Sequence, residues 1–138
     1  MNFTGKILLV DDEAHIRKFV GLVLKKICTP TIVEAGDGLI ALSLYAQEKP
    51  DLVLLDVNMP NFDGLQTLER LRQIAPEANV VMLTSLTNRH TVEECARLGA
   101  LDYIRKDTPR EELQAQLQRI IEECFDEEAL PATEPSPS

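Results

Sequence analysis

The sequence predicts an α/β fold in which helices cover both faces of a parallel β-sheet, giving a three-layer α/β/α sandwich. Five short apolar runs, typical of strands buried on both faces, alternate with five longer segments whose apolar residues recur about every 3.6 positions. The connections between these segments are short. Short connections favour parallel strands joined by helical crossovers, which place helices on both sides of the sheet.

The clearest strand is Leu52-Val53-Leu54-Leu55, a run of branched apolar residues between Pro50 and Pro60. An uninterrupted apolar run of this kind is typical of a strand inside a parallel sheet. Similar runs predict four more strands, at residues 6–10, 31–33, 80–83 and 101–104.

Helical periodicity predicts five helices, at residues 13–27, 39–48, 65–74, 88–98 and 108–124. Gly99 is well placed as a left-handed cap after the fourth helix. Thr108 and Pro109 suit the N-cap and first position of the fifth. The inner face of the second helix is expected to contain Leu39, Leu42, Tyr45 and Ala46, and that of the fifth Leu113, Leu117, Ile120, Ile121 and Cys124.

Length and composition indicate one folded domain, which we expect to span residues 1–125. A chain of 138 residues can bury a core without disulfides or a structural metal. Residues 126–138, rich in Pro, Glu and Ser, cannot bury enough apolar area to offset the cost of ordering, so we expect a disordered tail or linker. The net charge of −9 argues against direct nucleic-acid binding, because phosphate backbones attract clusters of Lys and Arg.

The cysteines Cys28, Cys95 and Cys124 lie in apolar periodic segments and lack metal-ligand spacing. They are predicted to be buried free thiols in a reducing compartment. The first residues do not resemble a signal peptide, and no apolar run approaches the roughly 20 residues of a membrane span. We therefore expect a cytoplasmic protein without a membrane segment.

Polar residues follow the predicted strands at the point where each strand ends. Asp11 and Asp12 follow the first strand, Asp56 the third, Thr84 the fourth and Lys106 the fifth. Because the carboxyl ends of parallel strands share one edge of the sheet, these side chains should gather there. With strand order 2-1-3-4-5 the winding reverses between strands 1 and 3, and the three aspartates flank that point.

Three carboxylates this close repel one another unless a cation joins them or some are protonated. Hard oxygen ligands favour Mg²⁺, and these segments contain no Cys or His that would suit zinc. A metal, a lysine and a hydroxyl around a free carboxylate are the components of phosphoryl transfer. Asp56 is therefore the candidate reactive group, although an aspartate after a strand is also an ordinary turn residue.

With these residues in view, the chain resembles response regulator receiver domains, especially the single-domain kind typified by chemotaxis regulators. The resemblance implies a flavodoxin-like (βα)5 fold of strand order 2-1-3-4-5 over most of the folded part. It rests on Val10-Asp11-Asp12-Glu13, Leu55-Asp56-Val57-Asn58-Met59-Pro60, Asp63-Gly64, Leu83-Thr84-Ser85 and Gly99-Ala100-Leu101-Asp102-Tyr103-Ile104-Arg105-Lys106.

The resemblance implies a two-component phosphorelay in which Asp56 takes a phosphoryl group from a sensor histidine kinase or a histidine phosphotransfer protein. Mg²⁺ would be held by Asp12 and Asp56 directly, by Asp11 through water and by the backbone carbonyl of Asn58. Apart from its own phosphorylation and dephosphorylation, the protein would turn over no substrate.

The resemblance also implies a switch. Lys106 would pair with the acceptor and then with a phosphoryl oxygen, Thr84 would follow the phosphoryl group, and Tyr103 would turn inward. The changed surface would be the face formed by the fourth helix, fifth strand and fifth helix. It would bind a downstream protein that the sequence does not name, with the receiver a monomer or a phosphorylation-dependent dimer.

One departure from the family pattern lies beside the lysine. Receiver domains usually carry a proline after it, joined by a cis peptide bond, whereas Asp107 follows Lys106 here. A cis bond without proline costs about 3 kcal/mol, so we expect a trans bond. Asp107 could compete for the Lys106 charge. Arg105 is the alternative site cation, but strand alternation would point it away.

Three other functions stay open. A metal-dependent phosphohydrolase acting through an aspartyl phosphate typically has a second aspartate two residues after the nucleophile, where this chain has Asn58. A receiver-like scaffold that ignores phosphate would not need the whole set of site residues. The chain could also be the receiver part of a longer regulator whose output domain follows the tail.

Overall fold

The computed structural model of the protein describes residues 2–85 and 88–125. The strands are β1 (Lys6–Val10), β2 (Thr31–Ala35), β3 (Leu52–Leu55), β4 (Val80–Thr84) and β5 (Asp102–Arg105). The helices are α1 (Ala14–Ile27), α2 (Gly38–Glu48), α3 (Gly64–Ile74), α4 (Arg89–Arg97) and α5 (Arg110–Phe125). The predicted alternation is confirmed, with bounds within two residues of those expected. The expected tail at 126–138 lies outside the described residues.

The five strands form one parallel sheet of order β2-β1-β3-β4-β5, as predicted. In this register Val10 pairs with Ala35 on one side and with Leu55 on the other. The last residues of β1, β2 and β3 are therefore in register at the same edge of the sheet. The residues that follow them meet at the carboxyl edge, where the winding reverses between β1 and β3.

Alternate residues of the strands supply two hydrophobic cores. Ile7, Leu9 and Leu54 face α1 and α5, whereas Leu8 and Leu55 face α2, α3 and α4. Strands β3 and β4 are buried along their whole length, as expected for a sheet covered on both faces. Within the described residues, no helix has both the length and the apolar content needed to cross a bilayer.

Local signals place the helix ends near the sheet edge. Asp63 forms a capping box with Gln66 at the start of α3, each side chain accepting from the other's backbone amide. Asp37 and Asn88 cap α2 and α4 through one hydrogen bond each, in which the side-chain oxygen accepts from the backbone amide of Ile40 or Thr91. Gly99 has a φ of 82°, which confirms the left-handed conformation predicted after α4.

The predicted inner face of α2 is partly wrong. Leu39 is 60% exposed and Ala46 is also exposed, while Ala41 is buried and Leu42 and Tyr45 are partly buried. Most residues of this helix are apolar, so periodicity gives little information about which side faces inward. At the start of α2, Gly38 packs closely against α3, because an added Cβ would collide with the Thr67 hydroxyl.

The prediction of three buried thiols is right for Cys28 and Cys95 and wrong for Cys124, which is exposed. Phe125 takes the inner position at the end of α5, four residues after the buried Ile121, and packs against the core. Its ring centroid lies 4.9 Å from that of Phe3. Successive residues of a helix point in different directions, so the inward position of Phe125 turns Cys124 toward solvent.

Candidate functional site

Asp56 lies directly after β3 and is almost completely buried, with 1% of its surface exposed. Its backbone amide donates to the Val10 carbonyl at 3.0 Å, which continues the sheet pairing to the residue itself. The Asn58 amide donates to Asp56 Oδ1 at 3.2 Å. The carboxylate is therefore held at the carboxyl edge of the central strands, close to the reversal of winding.

Gly64 lets the start of α3 approach this aspartate. Its amide donates to the Val57 carbonyl at 2.9 Å, and a Cβ at this position would collide with the carbonyl oxygen of Asp56. In the sequence, Asp63-Gly64 is recognisable only as part of a motif. The structure shows why a glycine is needed here, because the backbone of Gly64 lies too close to that of Asp56 and Val57 for a side chain to fit.

Asp11 and Asp12 follow β1 on the neighbouring strand, but differ in exposure. Asp11 is 5% exposed, and Asp12 faces solvent. One carboxylate oxygen from each of Asp11, Asp12 and Asp56 lies within 4.8 Å of the others. Three oxygens at this spacing can share one cation, and carboxylates are the ligands that Mg²⁺ favours. The three aspartates that the sequence predicted to meet are thus together.

Lys106 follows β5 and reaches into this cluster. Its Nζ lies 2.6 Å from Asp11 Oδ2, 3.1 Å from Asp56 Oδ2 and 3.6 Å from Glu13 Oε1. Its backbone amide donates to the Thr84 carbonyl at 2.9 Å, which fixes the start of the loop after β5. The ammonium therefore bridges the acids that follow two different strands.

The unusual Asp107 does not take the charge of Lys106. The peptide bond between them is trans, as expected, because the described residues contain no cis bond. Asp107 instead pairs with Arg105, with 2.7 Å between Arg105 Nη2 and Asp107 Oδ2. Both side chains are mostly exposed, so Arg105 is not the site cation.

Burial and charge act against each other in this cluster. Burial raises the pKa of the Asp11 carboxyl, although hydrogen bonds from Lys106 and from the Glu13 amide oppose the rise. Burial by itself would lower the pKa of Lys106, but its hydrogen bonds to Asp11 and Asp56 outweigh that effect and raise it. Lys106 thus stays protonated and balances part of the buried negative charge.

Thr84 and Tyr103, the predicted switch residues, lie on the neighbouring strands β4 and β5. Thr84 is the last residue of β4, fully buried, and pairs in the sheet with Arg105. Tyr103 lies on β5 opposite Met82 and packs partly buried against the core next to α4. Burial raises the pKa of Tyr103, and the nearby Cys95 and Asp56 add to the rise.

Arg17 also contacts the cluster, although no sequence pattern identified it as a site residue. Arg17 of α1 donates from Nη1 to the carbonyl oxygen of Asp11 at 2.6 Å, and from Nε to Glu34 Oε1 at 2.7 Å. The apolar periodicity of α1 leaves Arg17 off the inner face of the helix, which by itself predicts only a solvated charge. Its contacts depend on where the Arg17 side chain meets Glu34 of β2, which the periodicity of α1 does not predict.

The response regulator receiver domain family matches residues 7–118 of the chain. The chain is 34% identical to sporulation initiation phosphotransferase F of Bacillus subtilis, over 84% of this chain and 93% of that protein. It is 39% identical to a protein-glutamate methylesterase/protein-glutamine glutaminase of Trichodesmium erythraeum, over 73% of this chain. That match covers 30% of the methylesterase, and the chain spans less than half the length of three other curated relatives.

Solved structures agree with these matches. A complex of CheX and CheY with BeF3 and Mg²⁺ from Borrelia burgdorferi contains a chain that superposes with a TM-score of 0.77 at 28% identity. The match covers 85% of this chain and 87% of that one. Fold, strand-end residues and sequence identity agree, and the chain belongs to the response regulator receiver domain family.

Proposed function

We propose that the protein is a phosphorylation-controlled switch of a two-component phosphorelay, with Asp56 as the phosphoacceptor. The donor is the phosphohistidine of a sensor histidine kinase or of a histidine phosphotransfer protein. An Asp56 carboxylate oxygen forms a bond to phosphorus as the bond between phosphorus and the histidine nitrogen breaks. The imidazole leaves, and the phosphoryl group stays on Asp56 as an acyl phosphate.

The observation that carries this proposal is the contact between the buried Asp56 carboxylate and the Lys106 ammonium at 3.1 Å. A buried carboxylate needs a nearby cation, because leaving it uncompensated in the interior is costly. The same ammonium lies within reach of an oxygen on a group attached to Asp56. Lys106 can therefore stabilise the negative charge of a phosphoryl group as it arrives.

The acidic cluster fits Mg²⁺, since its oxygens are hard ligands at a spacing that one ion can bridge. Asp12, Asp56 and the backbone carbonyl of Asn58 would hold the ion directly, and Asp11 through water. When bound, Mg²⁺ would neutralise charge on the transferred phosphoryl oxygens. The Mg²⁺ in the complex from Borrelia burgdorferi supports this choice of metal.

The phosphoryl group would act by shifting a population between two states. Asp56 phosphate adds charge and acceptor oxygens, and only the active state uses them through the Thr84 hydroxyl and Lys106. Moving the equilibrium from mostly inactive to mostly active takes about 5 kcal/mol. Two or three charge-assisted hydrogen bonds of roughly 1.5 to 3 kcal/mol each supply about 3 to 9 kcal/mol, a range that includes this value.

The output surface would be the face formed by α4, β5 and α5, on which Tyr103 turns inward as Thr84 moves. A downstream protein would bind this face in the active state, or two receivers would pair through it. Tyr103 is suited to this role, because it lies partly buried between β5 and α4 with its ring against the core.

The proposal is tested by intact mass after incubation with acetyl phosphate, with and without Mg²⁺. The wild-type protein should gain about 80 Da, the mass of one phosphoryl group, only when Mg²⁺ is present. Asp56→Asn should gain nothing. The matched control is Asp63→Asn, in the same loop, because asparagine keeps the cap of α3 and the adduct should form normally.

Two results would contradict the proposal. A folded wild-type protein that gains no mass, and also binds no beryllofluoride in the presence of Mg²⁺, would not be a phosphoacceptor. An adduct that persists in Asp56→Asn would place the phosphoryl group on a different residue.

A further inference from the structure

Arg17, near the start of α1, contacts the main chain of the acidic cluster and none of its carboxylates. Its Nη1 donates to the Asp11 carbonyl oxygen at 2.6 Å. Its Nε donates to Glu34 Oε1 in β2 at 2.7 Å, and the Arg17 side chain is 18% exposed. The guanidinium thus joins the loop after β1 to the edge strand β2.

This contact fixes the peptide group between Asp11 and Asp12. The carbonyl that Arg17 holds lies in the same rigid plane as the amide nitrogen and Cα of Asp12. On the other side of Asp11, its own amide donates to the Ala35 carbonyl at 3.1 Å. The main chain is therefore held before and after the Asp11 Cα, which sets the direction in which the Asp12 side chain leaves the backbone.

The Asp12 side chain depends on this support more than its neighbours do. Asp11 Oδ1 accepts from the Glu13 amide at 2.9 Å and Asp11 Oδ2 contacts Lys106, so the protein orients that carboxylate directly. Asp56 is likewise held by burial and by Lys106. Asp12 is exposed, and the orientation of its backbone is what keeps its oxygen near the other two.

We propose that Arg17, held by Glu34, is a positioning residue for the divalent cation of the acidic cluster. It fixes the peptide group between Asp11 and Asp12, so that the Asp12 carboxylate stays within reach of the ion. This role rests on the proposed function, because it requires a cation bound at Asp12.

The positive charge of Arg17, taken alone, predicts weaker binding of a divalent cation, so the two roles of Arg17 predict changes in opposite directions. A guanidinium beside the cluster repels a divalent cation, so an arginine that acted only through charge would weaken cation binding. Its removal would then tighten the site. An arginine that acts by holding the backbone strengthens the site, and its removal weakens binding.

The experiment is a titration of the full chain with Mn²⁺, with free Mn²⁺ followed by electron paramagnetic resonance. Removing a group that orients a metal ligand typically weakens metal binding by about 10- to 100-fold, which we expect for Arg17→Met. Arg17→Lys keeps the charge, but a single ammonium cannot reproduce the two-acceptor geometry, so it should also bind more weakly. Glu34→Gln should weaken binding in the same direction.

The matched control is Lys18→Met, which removes the same charge from the exposed neighbouring position of α1 and should bind Mn²⁺ no more weakly than the wild type. Thermal unfolding without metal checks that each variant is folded. If Arg17→Met does not fold, Arg17→Lys decides the outcome, because it keeps the charge and changes only the hydrogen bonds to Asp11 and Glu34.

Folded Arg17 variants that bind Mn²⁺ as tightly as the wild type, or more tightly, would overturn the role of Arg17 and leave the proposed function intact. A wild-type protein that binds no Mn²⁺ and forms no acetyl-phosphate adduct would overturn the proposed function and the role of Arg17 together.

Discussion

Lys106 Nζ lies 2.6 Å from Asp11 Oδ2, closer than its 3.1 Å contact with Asp56 Oδ2. The lysine therefore bridges Asp11 after β1, a proposed metal ligand, and Asp56 after β3, the proposed phosphoacceptor, and does not pair with Asp56 alone. Its side chain is 12% exposed, so the ammonium is the main compensation for two buried carboxylates. Lys106 is thus expected to contribute to stability as well as to phosphoryl transfer.

Lys106→Met should destabilise the metal-free protein, because it leaves the carboxylates of Asp11 and Asp56 without their cation. Removing one partner of a buried ion pair costs on the order of 3 kcal/mol. Mg²⁺ should recover part of this loss, since a cation that binds the folded state stabilises it. Urea unfolding followed by circular dichroism, with and without Mg²⁺, measures both effects.

The control for this variant is Arg105→Met, which removes a neighbouring exposed cation paired with Asp107. It should change the free energy of unfolding by well under 1 kcal/mol, as is usual for exposed ion pairs. Equal stability of Lys106→Met and the wild type in metal-free buffer would show that the bridge contributes nothing to folding.

Gly64→Ala should damage the loop that carries Asp56. The new Cβ would collide with the Asp56 carbonyl oxygen, and it would also lie 2.6 Å from the Val57 Cα. Both contacts involve backbone, so the loop must shift, and overpacking of this kind costs about 1–3 kcal/mol. The free energy of unfolding should fall, and adduct formation with acetyl phosphate should slow because Asp56 moves.

Gly36→Ala is the matched control for this substitution. Gly36 lies in the loop after β2, and the nearest atom to an added Cβ is Arg17 Nη1 at 3.8 Å, an ordinary van der Waals distance. This variant should fold and react like the wild type. If both alanine variants lost stability equally, the close approach of α3 to Asp56 would not be the cause.

The proximity of Asp11, Asp56 and Lys106 could be predicted from sequence, because it follows from two regular features of parallel sheets. Buried strands are marked by apolar runs, and parallel strands put the residues that follow them at one edge. Neither step requires knowledge of which helix packs where. The roles of these residues do not follow from periodicity, and came from the resemblance to receiver domains.

The contacts of Arg17 and the rotation of α2 could not be predicted in this way. Both involve contacts between residues of different elements, which form only when the chain folds. Arg17 contacts Glu34 in the next strand, and Gly38 lies against Thr67 in the next helix. Arginine on the polar side of a helix is usually solvated, so its sequence position alone does not distinguish Arg17 from Lys18.

Arg72 is a second arginine whose role only the structure reveals. In the last turn of α3, its guanidinium donates to four backbone carbonyls, those of Pro76, Ala78, Leu98 and Gly99. It thus joins the end of α3 to the end of α4. Arg72→Met leaves these acceptors without their donor and should destabilise the protein by about 3 kcal/mol.

Urea unfolding measures this effect, with Arg70→Met as the control because Arg70 is exposed on the same helix. The control should stay within about 0.5 kcal/mol of the wild type. A loss of stability in Arg72→Met no larger than that of the control would mean that water replaces the guanidinium at these carbonyls without cost.

Cys95 should make the protein less stable at alkaline pH. Burial against the core beneath α4 raises the pKa of its thiol from 9.0 to about 11, and the charge of Glu94 adds to the rise. The unfolded chain loses this proton near pH 9, whereas the folded protein keeps it until about pH 11. Over that range the unfolded state binds fewer protons, so stability falls as pH rises.

The loss attributable to Cys95 should be on the order of 2 kcal/mol between pH 8 and pH 11, and should be absent in Cys95→Ala. Urea unfolding under reducing conditions at several pH values gives the slope for each protein. Subtracting the slope of the variant from that of the wild type removes the shared contribution of the other thiols and the tyrosines.

Cys124→Ala, which removes an exposed thiol, should keep most of the wild-type slope. If Cys95→Ala lost stability with pH as steeply as the wild type, ionisation of Cys95 would not be the cause of the loss.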